Sequence, residues 1–163
     1  MRKTGIAITL CLLTVAVVAT ADDGPPRSYG VHSGFGLDPD QFVLGAQAEL
    51  GQVKIARFAP SLNAGFGDNL TIFALNGDVR LYLSPPKTTF AVFLGGGPTL
   101  AMIDFEGGDT DTEIGLSLVG GLKAAMGRSN AYTLEGRLGL GDIPDFRLLV
   151  GILFGGHDNA GGK

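Results

Sequence analysis

The sequence predicts an all-β protein whose eight antiparallel strands close into an up-and-down barrel. From Ser28 to Phe154 large apolar residues alternate with small or polar ones, and a period of two is typical of strands. Turn-forming Gly, Pro, Asn and Asp recur about every 10 to 20 residues. The links between successive strands are short, which predicts hairpins, and eight strands in simple order close into a barrel without edges.

Seven turn signals divide the chain into eight strands. The turns fall at 37–40, 51–52, 67–69, 84–87, 106–109, 127–130 and 141–145. The strands are therefore predicted, in order, at 28–37, 40–50, 56–67, 70–83, 88–104, 112–126, 131–141 and 145–155.

The two faces of these strands differ in composition. In the sixth strand Ile114, Leu116 and Leu118 share one face, and Gly115 and Ser117 share the other. The other strands follow the same rule, except that the fifth is blurred. Its Gly-Gly-Gly-Pro run, ending at Pro98, predicts a β-bulge, and local bulges are also expected at the mid-strand prolines Pro60 and Pro98.

The first 21 residues are predicted to be a cleaved secretory signal. A basic head precedes an apolar stretch over 6–18 and an Ala-Thr-Ala site over 19–21. A transmembrane helix is the alternative, but this stretch is shorter than the roughly 20 residues that a span needs. The single cysteine, Cys11, lies inside the signal, so no disulfide is expected in the single domain predicted over 22–163.

The charge balance argues against a nucleic-acid partner. The chain has 12 Lys and Arg against 16 Asp and Glu, a net charge of −4. Removing the signal takes away Arg2 and Lys3 and no acid, so the net charge becomes about −6. A nucleic-acid surface would need a basic patch.

Alternation alone does not decide which face points outward, because soluble lipocalin-like barrels and membrane barrels share it. The polar face here is rich in Gly and has only one or two charges per strand, which is sparse for a water-exposed surface. A small eight-stranded interior suits glycine. The charges on that face are also nearly balanced in sign, as a low-dielectric interior requires. They form a predicted lumen charge network of Glu49, Arg57, Asp78, Arg80, Glu113, Lys123, Glu135, Arg137 and Arg147. These observations favour a transmembrane barrel with its apolar face outward.

The chain resembles the small OmpA/OmpX-like outer-membrane β-barrels of the porin-family type. The resemblance rests on the signal, the eight hairpin strands and the final aromatic-ended strand Phe146 to Phe154, although nine residues follow that strand here. It implies the Gram-negative outer membrane, contact with lipid and lipopolysaccharide, insertion by the barrel-assembly machinery, and a monomer. It also implies a periplasmic N-terminus, with the longest outer loop after the fifth strand, at 104–111.

No catalytic, cofactor-binding or metal site is predicted. The acidic loop at 104–111 could bind Ca²⁺, but it lacks EF-hand spacing and is interpreted as a solvated loop. His32 and Ser33 are adjacent on one strand and must point to opposite faces, so they cannot form a nucleophile–base pair. Two functions remain: a structural or envelope-integrity barrel with a filled lumen, or a narrow pore or small-ligand transport barrel. The narrow interior of eight strands favours the first.

Overall fold

The protein is a closed barrel of eight antiparallel strands in a computed structural model. The structure describes residues 28–53, 55–85, 88–105, 110–127, 129–144 and 146–155. The strands are β1 (Ser28–Leu37), β2 (Gln41–Val53), β3 (Ala56–Gly67), β4 (Leu70–Leu83), β5 (Phe90–Phe105), β6 (Thr110–Met126), β7 (Asn130–Leu140) and β8 (Phe146–Gly155). The predicted signal at 1–21 and the tail at 156–163 lie outside the described residues.

Each strand pairs with the next in sequence, and β1 pairs with β8 to close the barrel. The closing seam runs without interruption from Ser28 opposite Gly155 to Leu37 opposite Phe146. The eight-stranded up-and-down barrel that the alternation predicts is therefore confirmed, with strand ends within a few residues of those expected.

The predicted turn at 51–52 is wrong, because β2 continues through it to Val53. The pairing of β2 with β3 shifts by one residue between Leu50 and Gln52. Gly51 has a φ of 61°, in the region that glycine enters without steric cost. The glycine therefore accommodates an extra residue within a bulge instead of ending the strand.

The predicted bulge in the Gly-rich part of β5 is also wrong. The register of β5 with both neighbours is the same before and after this segment. Its glycines allow close packing instead: a Cβ on Gly97 would lie 2.0 Å from the backbone oxygen of Gly77. Each mid-strand proline coincides with a gap in one ladder, Pro60 towards β2 and Pro98 towards β4, without a register shift at that point. The ladder gap therefore accommodates the missing N–H of each proline.

The expected long loop after the fifth strand is shorter than predicted. Asp104 and Asp111 belong to β5 and β6, where Asp104 lies opposite Thr110 and Asp111 opposite Ile103. Only residues 106–109 separate the two strands, whereas 84–89 separate β4 from β5. Pairing extended both strands into the predicted loop, so the expected asymmetry of loop lengths does not hold.

The apolar face of the barrel points outward and the polar face fills the interior. Large apolar side chains such as Phe35, Leu118 and Val150 are 67%, 52% and 55% exposed. Asp78 and Arg80, in contrast, are completely buried. No helix among the described residues has the length and hydropathy to cross a membrane. The face with the charges is the lumen, as the sparse charge pattern predicted.

Candidate functional site in the barrel lumen

Four charged side chains cross the middle of the lumen and pair with one another. We call Asp78 and Arg80 of β4 and Glu135 and Arg137 of β7 the central quartet. Arg137 donates to both oxygens of Asp78, at 3.1 and 2.6 Å, and to Glu135 at 2.9 Å. Arg80 lies 2.7 Å from Glu135 and 3.6 Å from Asp78. Two positive and two negative charges thus join strands that are not neighbours in the sheet.

Polar side chains of two further strands also form hydrogen bonds with the quartet. Ser117 of β6 donates to Asp78 at 3.3 Å and accepts a hydrogen bond from Arg137 at 2.8 Å. Gln47 of β2 accepts one from Arg80 at 3.1 Å. The quartet and its partners therefore connect β2, β4, β6 and β7 through the interior, and fill the centre of the barrel.

A second charged cluster surrounds Glu49, closer to the end of the barrel where β1 begins and β8 ends. Lys123 donates to the Glu49 carboxylate at 2.6 Å and Arg57 at 3.0 Å. The hydroxyls of Ser28 and Tyr82 also donate to this carboxylate. Glu49 is 1% exposed, so its charge is held by four donors away from water.

Two aromatic rings connect the Glu49 cluster to the central quartet. Tyr82 and Phe93 are cross-strand partners with ring centroids 5.4 Å apart. The guanidinium of Arg57 lies 5.0 Å from the Tyr82 centroid, and that of Arg80 lies 5.0 Å from the Phe93 centroid. Both rings lie on the lumen side of their strands but carry no charge, so they were not part of the predicted charge network. Their cation–π contacts make them part of the lumen network.

Uncharged polar side chains occupy the lumen beyond the quartet. His32 and Asn63 are hydrogen-bonded across the glycine at position 45. Thr99 donates to Asn76 at 2.9 Å, and Asn76 donates to the hydroxyl of Ser61 at 3.1 Å. Ser33, adjacent to the buried His32, lies on the opposite, outer face. The two residues are therefore separated by the wall of the barrel.

A small apolar cluster closes the lumen at the opposite end. Ile143, in the connection from β7 to β8, is 4% exposed and packs with Ile72 and Ala101. The side chain is accommodated by two lumen-facing glycines: a Cβ on Gly115 would lie 3.0 Å from Ile143, and a Cβ on Gly139 would lie 2.9 Å from it. A loop residue thus covers the opening from inside the barrel.

Two residues of the predicted network lie outside its ion pairs. Glu113 is partly exposed near the outer end of β6, opposite Ala101, and no ion pair joins it to another described residue. Its position near the mouth, where water solvates a carboxylate, explains this difference. Arg147 is 2% exposed, yet within the described part of the chain no carboxylate pairs with it. Among the described residues, the lumen charges that are buried or paired are three acids and five bases, in place of the expected four acids and five bases.

The acidic segment at 104–111 is only partly described. Asp104 accepts a hydrogen bond from Thr110 at 3.3 Å, while Glu106 and Asp109 lie outside the described residues. Within the described ranges, no three His, Cys, Asp or Glu side chains come together as a metal site would require.

The barrel is similar to solved structures of outer-membrane proteins. Neisserial surface protein A aligns with a TM-score of 0.62 at 13% identity, covering 79% of this chain and 95% of that one. The N-terminal β-barrel domain of Pseudomonas aeruginosa OprF aligns with a TM-score of 0.63 at 12% identity, covering 81% and 98%. The Yersinia pestis outer membrane protein Ail, in a phospholipid bilayer nanodisc, aligns with a TM-score of 0.52 at 8% identity, covering 78% and 98%.

These similarities define the class of fold. No protein-family model matches the sequence, and no curated protein matches it. The chain has the fold of the small eight-stranded outer-membrane β-barrels of the OmpA/OmpX type, which is the resemblance that its strand pattern indicated.

Proposed function

We propose that this protein is an integral barrel of the Gram-negative outer membrane with a structural or envelope-integrity role. The observation that carries the proposal is the orientation of the two faces. Large apolar side chains cover the outside of the strands, while the charged side chains are buried within. A soluble protein rarely exposes an apolar patch larger than a few hundred Å², so a band around the whole barrel calls for lipid as its solvent.

Strand length agrees with a membrane location. The eight strands have 10 to 17 residues, and a tilted membrane strand needs roughly 9–11. The outer surface would contact lipid and lipopolysaccharide, and the barrel-assembly machinery would insert it as a monomer. Phe154, near the end of β8, points outward and is 49% exposed. It is the aromatic residue that we assign to the assembly signal.

The filled lumen favours a structural role over transport. The central quartet crosses the interior, the Glu49 cluster lies below it, and the Ile143 cluster covers the other end. An open pore would need a water-filled path past all three. Detection of a narrow pore for small solutes would therefore contradict this part of the proposal.

Two experiments test the proposal separately. The protein should fractionate with the outer membrane and migrate differently on gels when boiled and unboiled, since a closed barrel resists detergent at room temperature. Recovery in the soluble periplasm would contradict the membrane location. In planar bilayers the wild-type barrel should show no steady conductance. A steady conductance that increases when Arg80 or Arg137 is neutralised would instead indicate a pore.

A further inference from the structure

The lumen contains more positive than negative side chains. In the described residues five cations, Arg57, Arg80, Lys123, Arg137 and Arg147, face three carboxylates, Glu49, Asp78 and Glu135. The central quartet is neutral by itself. The Glu49 cluster has one extra cation, but its Arg57 and Lys123 side chains are 14% and 9% exposed near the mouth of the barrel. The more deeply buried part of the excess is therefore the charge of Arg147, which is 2% exposed.

Among the described residues, the cross-strand neighbours of Arg147 do not neutralise it. Its cross-strand partner on β7 is another cation, Arg137, and its partner on β1 is Gly36. Both terminal nitrogens of Arg137 are already committed to Asp78, Glu135 and Ser117. An isolated charge in a low-dielectric interior is very costly unless an opposite charge accompanies it.

The buried hydrogen-bonding groups show the same imbalance. Several buried side-chain nitrogens in the described part of the chain have no hydrogen-bond acceptor: Asn63 Nδ2, Arg80 Nε, Arg137 Nε and Arg147 Nε. All of them are donors, so what this interior lacks is acceptors. Water could accept some of these hydrogen bonds, but it brings no negative charge.

We propose that the lumen binds one small monovalent inorganic anion, of the halide class, at the guanidinium of Arg147 beside Arg137. A halide accepts several N–H donors at once and supplies the single negative charge that the central lumen lacks. A divalent anion such as sulfate would replace an excess positive charge by an excess negative one. This inference goes beyond the structural role proposed above and requires only the closed lumen, so it holds whether or not the barrel lies in a membrane.

The test is the effect of halide on unfolding of the protein refolded in detergent micelles. Urea unfolding is followed by circular dichroism in sodium bromide and in sodium gluconate of equal ionic strength, with gluconate, a large organic anion, as the reference. In wild type the unfolding equilibrium constant should fall about tenfold when bromide is about nine times its Kd. In Arg147→Gln this bromide dependence should disappear. Arg57→Gln, which removes a cation near the mouth, is the matched control and should keep it.

Three results would overturn the proposal. The first is equal stability of wild type in the two salts, which would mean that water alone satisfies the donors. The second is a bromide effect that survives in Arg147→Gln, which would mean a general salt effect. The third is a bromide response that is absent from wild type and appears in Asp145→Asn. That would identify Asp145, two positions before Arg147 in the sequence, as the counter-ion.

A direct observation keeps the proposal testable if Arg147→Gln fails to fold. Crystals of the wild-type protein grown in bromide should show one anomalous peak beside the Arg147 guanidinium. Arg147→Lys, which keeps the charge, should retain the bromide response. Absence of a lumen peak in well-ordered bromide crystals would contradict the assignment.

Discussion

The central quartet makes one strong prediction about stability. Replacing Asp78 by Asn leaves Arg137 without the carboxylate that accepts two of its hydrogen bonds, at 2.6 and 3.1 Å, in a place that water does not reach. Breaking a buried ion pair by removing one partner costs roughly 3–5 kcal/mol. Arg137→Gln should cost a similar amount, because it leaves Asp78 with only the more distant Arg80, at 3.6 Å.

The double variant Asp78→Asn/Arg137→Gln separates charge from packing. It removes one charge of each sign and leaves the 2.7 Å pair between Arg80 and Glu135 intact, so the remaining quartet is neutral. If the two single costs were independent they would sum to about 6–10 kcal/mol. We expect the double variant to cost no more than about 5 kcal/mol, which is a coupling of at least about 1 kcal/mol.

The assay is urea unfolding in detergent or lipid, followed by circular dichroism because the chain contains no tryptophan. Gel mobility of unboiled samples gives an independent measure of the folded fraction. Additive costs, equal to the sum of the single variants within about 0.5 kcal/mol, would refute the claim that these two residues stabilise each other across the lumen.

Three further predictions follow from the outer wall, the seam and the cap. In lipid, Leu118→Arg, at the middle of β6, should lower the free energy of unfolding by about 2–4 kcal/mol, and Thr112→Arg, near the strand end, by about 0–1 kcal/mol. Equal small losses in the two variants would contradict the outward apolar face, because only a soluble barrel would tolerate both. Gly34→Ala should destabilise the barrel by about 1–3 kcal/mol, because its Cβ would lie 1.9 Å from a backbone oxygen of β8. Gly77→Ala is the control, because its Cβ would meet nothing nearer than 3.7 Å. If urea unfolding showed the same loss of stability in both glycine variants, the seam between β1 and β8 would not be tightly packed at Gly34. Ile143→Ala should cost about 2–4 kcal/mol by the same measurement if it is a packed cap residue, and an unchanged midpoint would show that the loop does not close the lumen.

The alternation of the sequence predicted the barrel, and the sparse, sign-balanced charges of its polar face predicted which face points outward. The reason is that a period of two assigns each residue to one side of a closed sheet, so Leu118 and Asp78 need no tertiary information to be placed. The bulges were not predictable in the same way. In the sequence, Gly51 and the glycines of β5 look alike. Only the register of the paired strands shows that Gly51 lies in a bulge, whereas the glycines of β5 allow neighbouring strands to pack closely.

Which charged side chains pair within the lumen depends on their height along the barrel axis. The alternation of the sequence does not predict that height. Glu113 and Glu135 both lie on the polar side of their strands, yet one is near a mouth and the other is at the centre, 2.7 Å from Arg80. The isolation of Arg147 depends on the register of β8 with β7, which places it opposite Arg137. The contribution of Ile143 was missed because it lies in a predicted turn, and turns are usually read as solvent-exposed.

The charge pairs between β4 and β7 also constrain how the barrel can be built. Each of these strands has one acid and one base, but their short ion pairs join the two strands: Arg80 lies 2.7 Å from Glu135, and Arg137 lies 2.6 Å from Asp78. A single hairpin crossing the bilayer alone would expose these groups to hydrocarbon, at a cost of several kcal/mol for each ion. The strands from β4 to β7 must therefore curl around a shared interior before or while they enter the lipid, so insertion and closure are parts of one event.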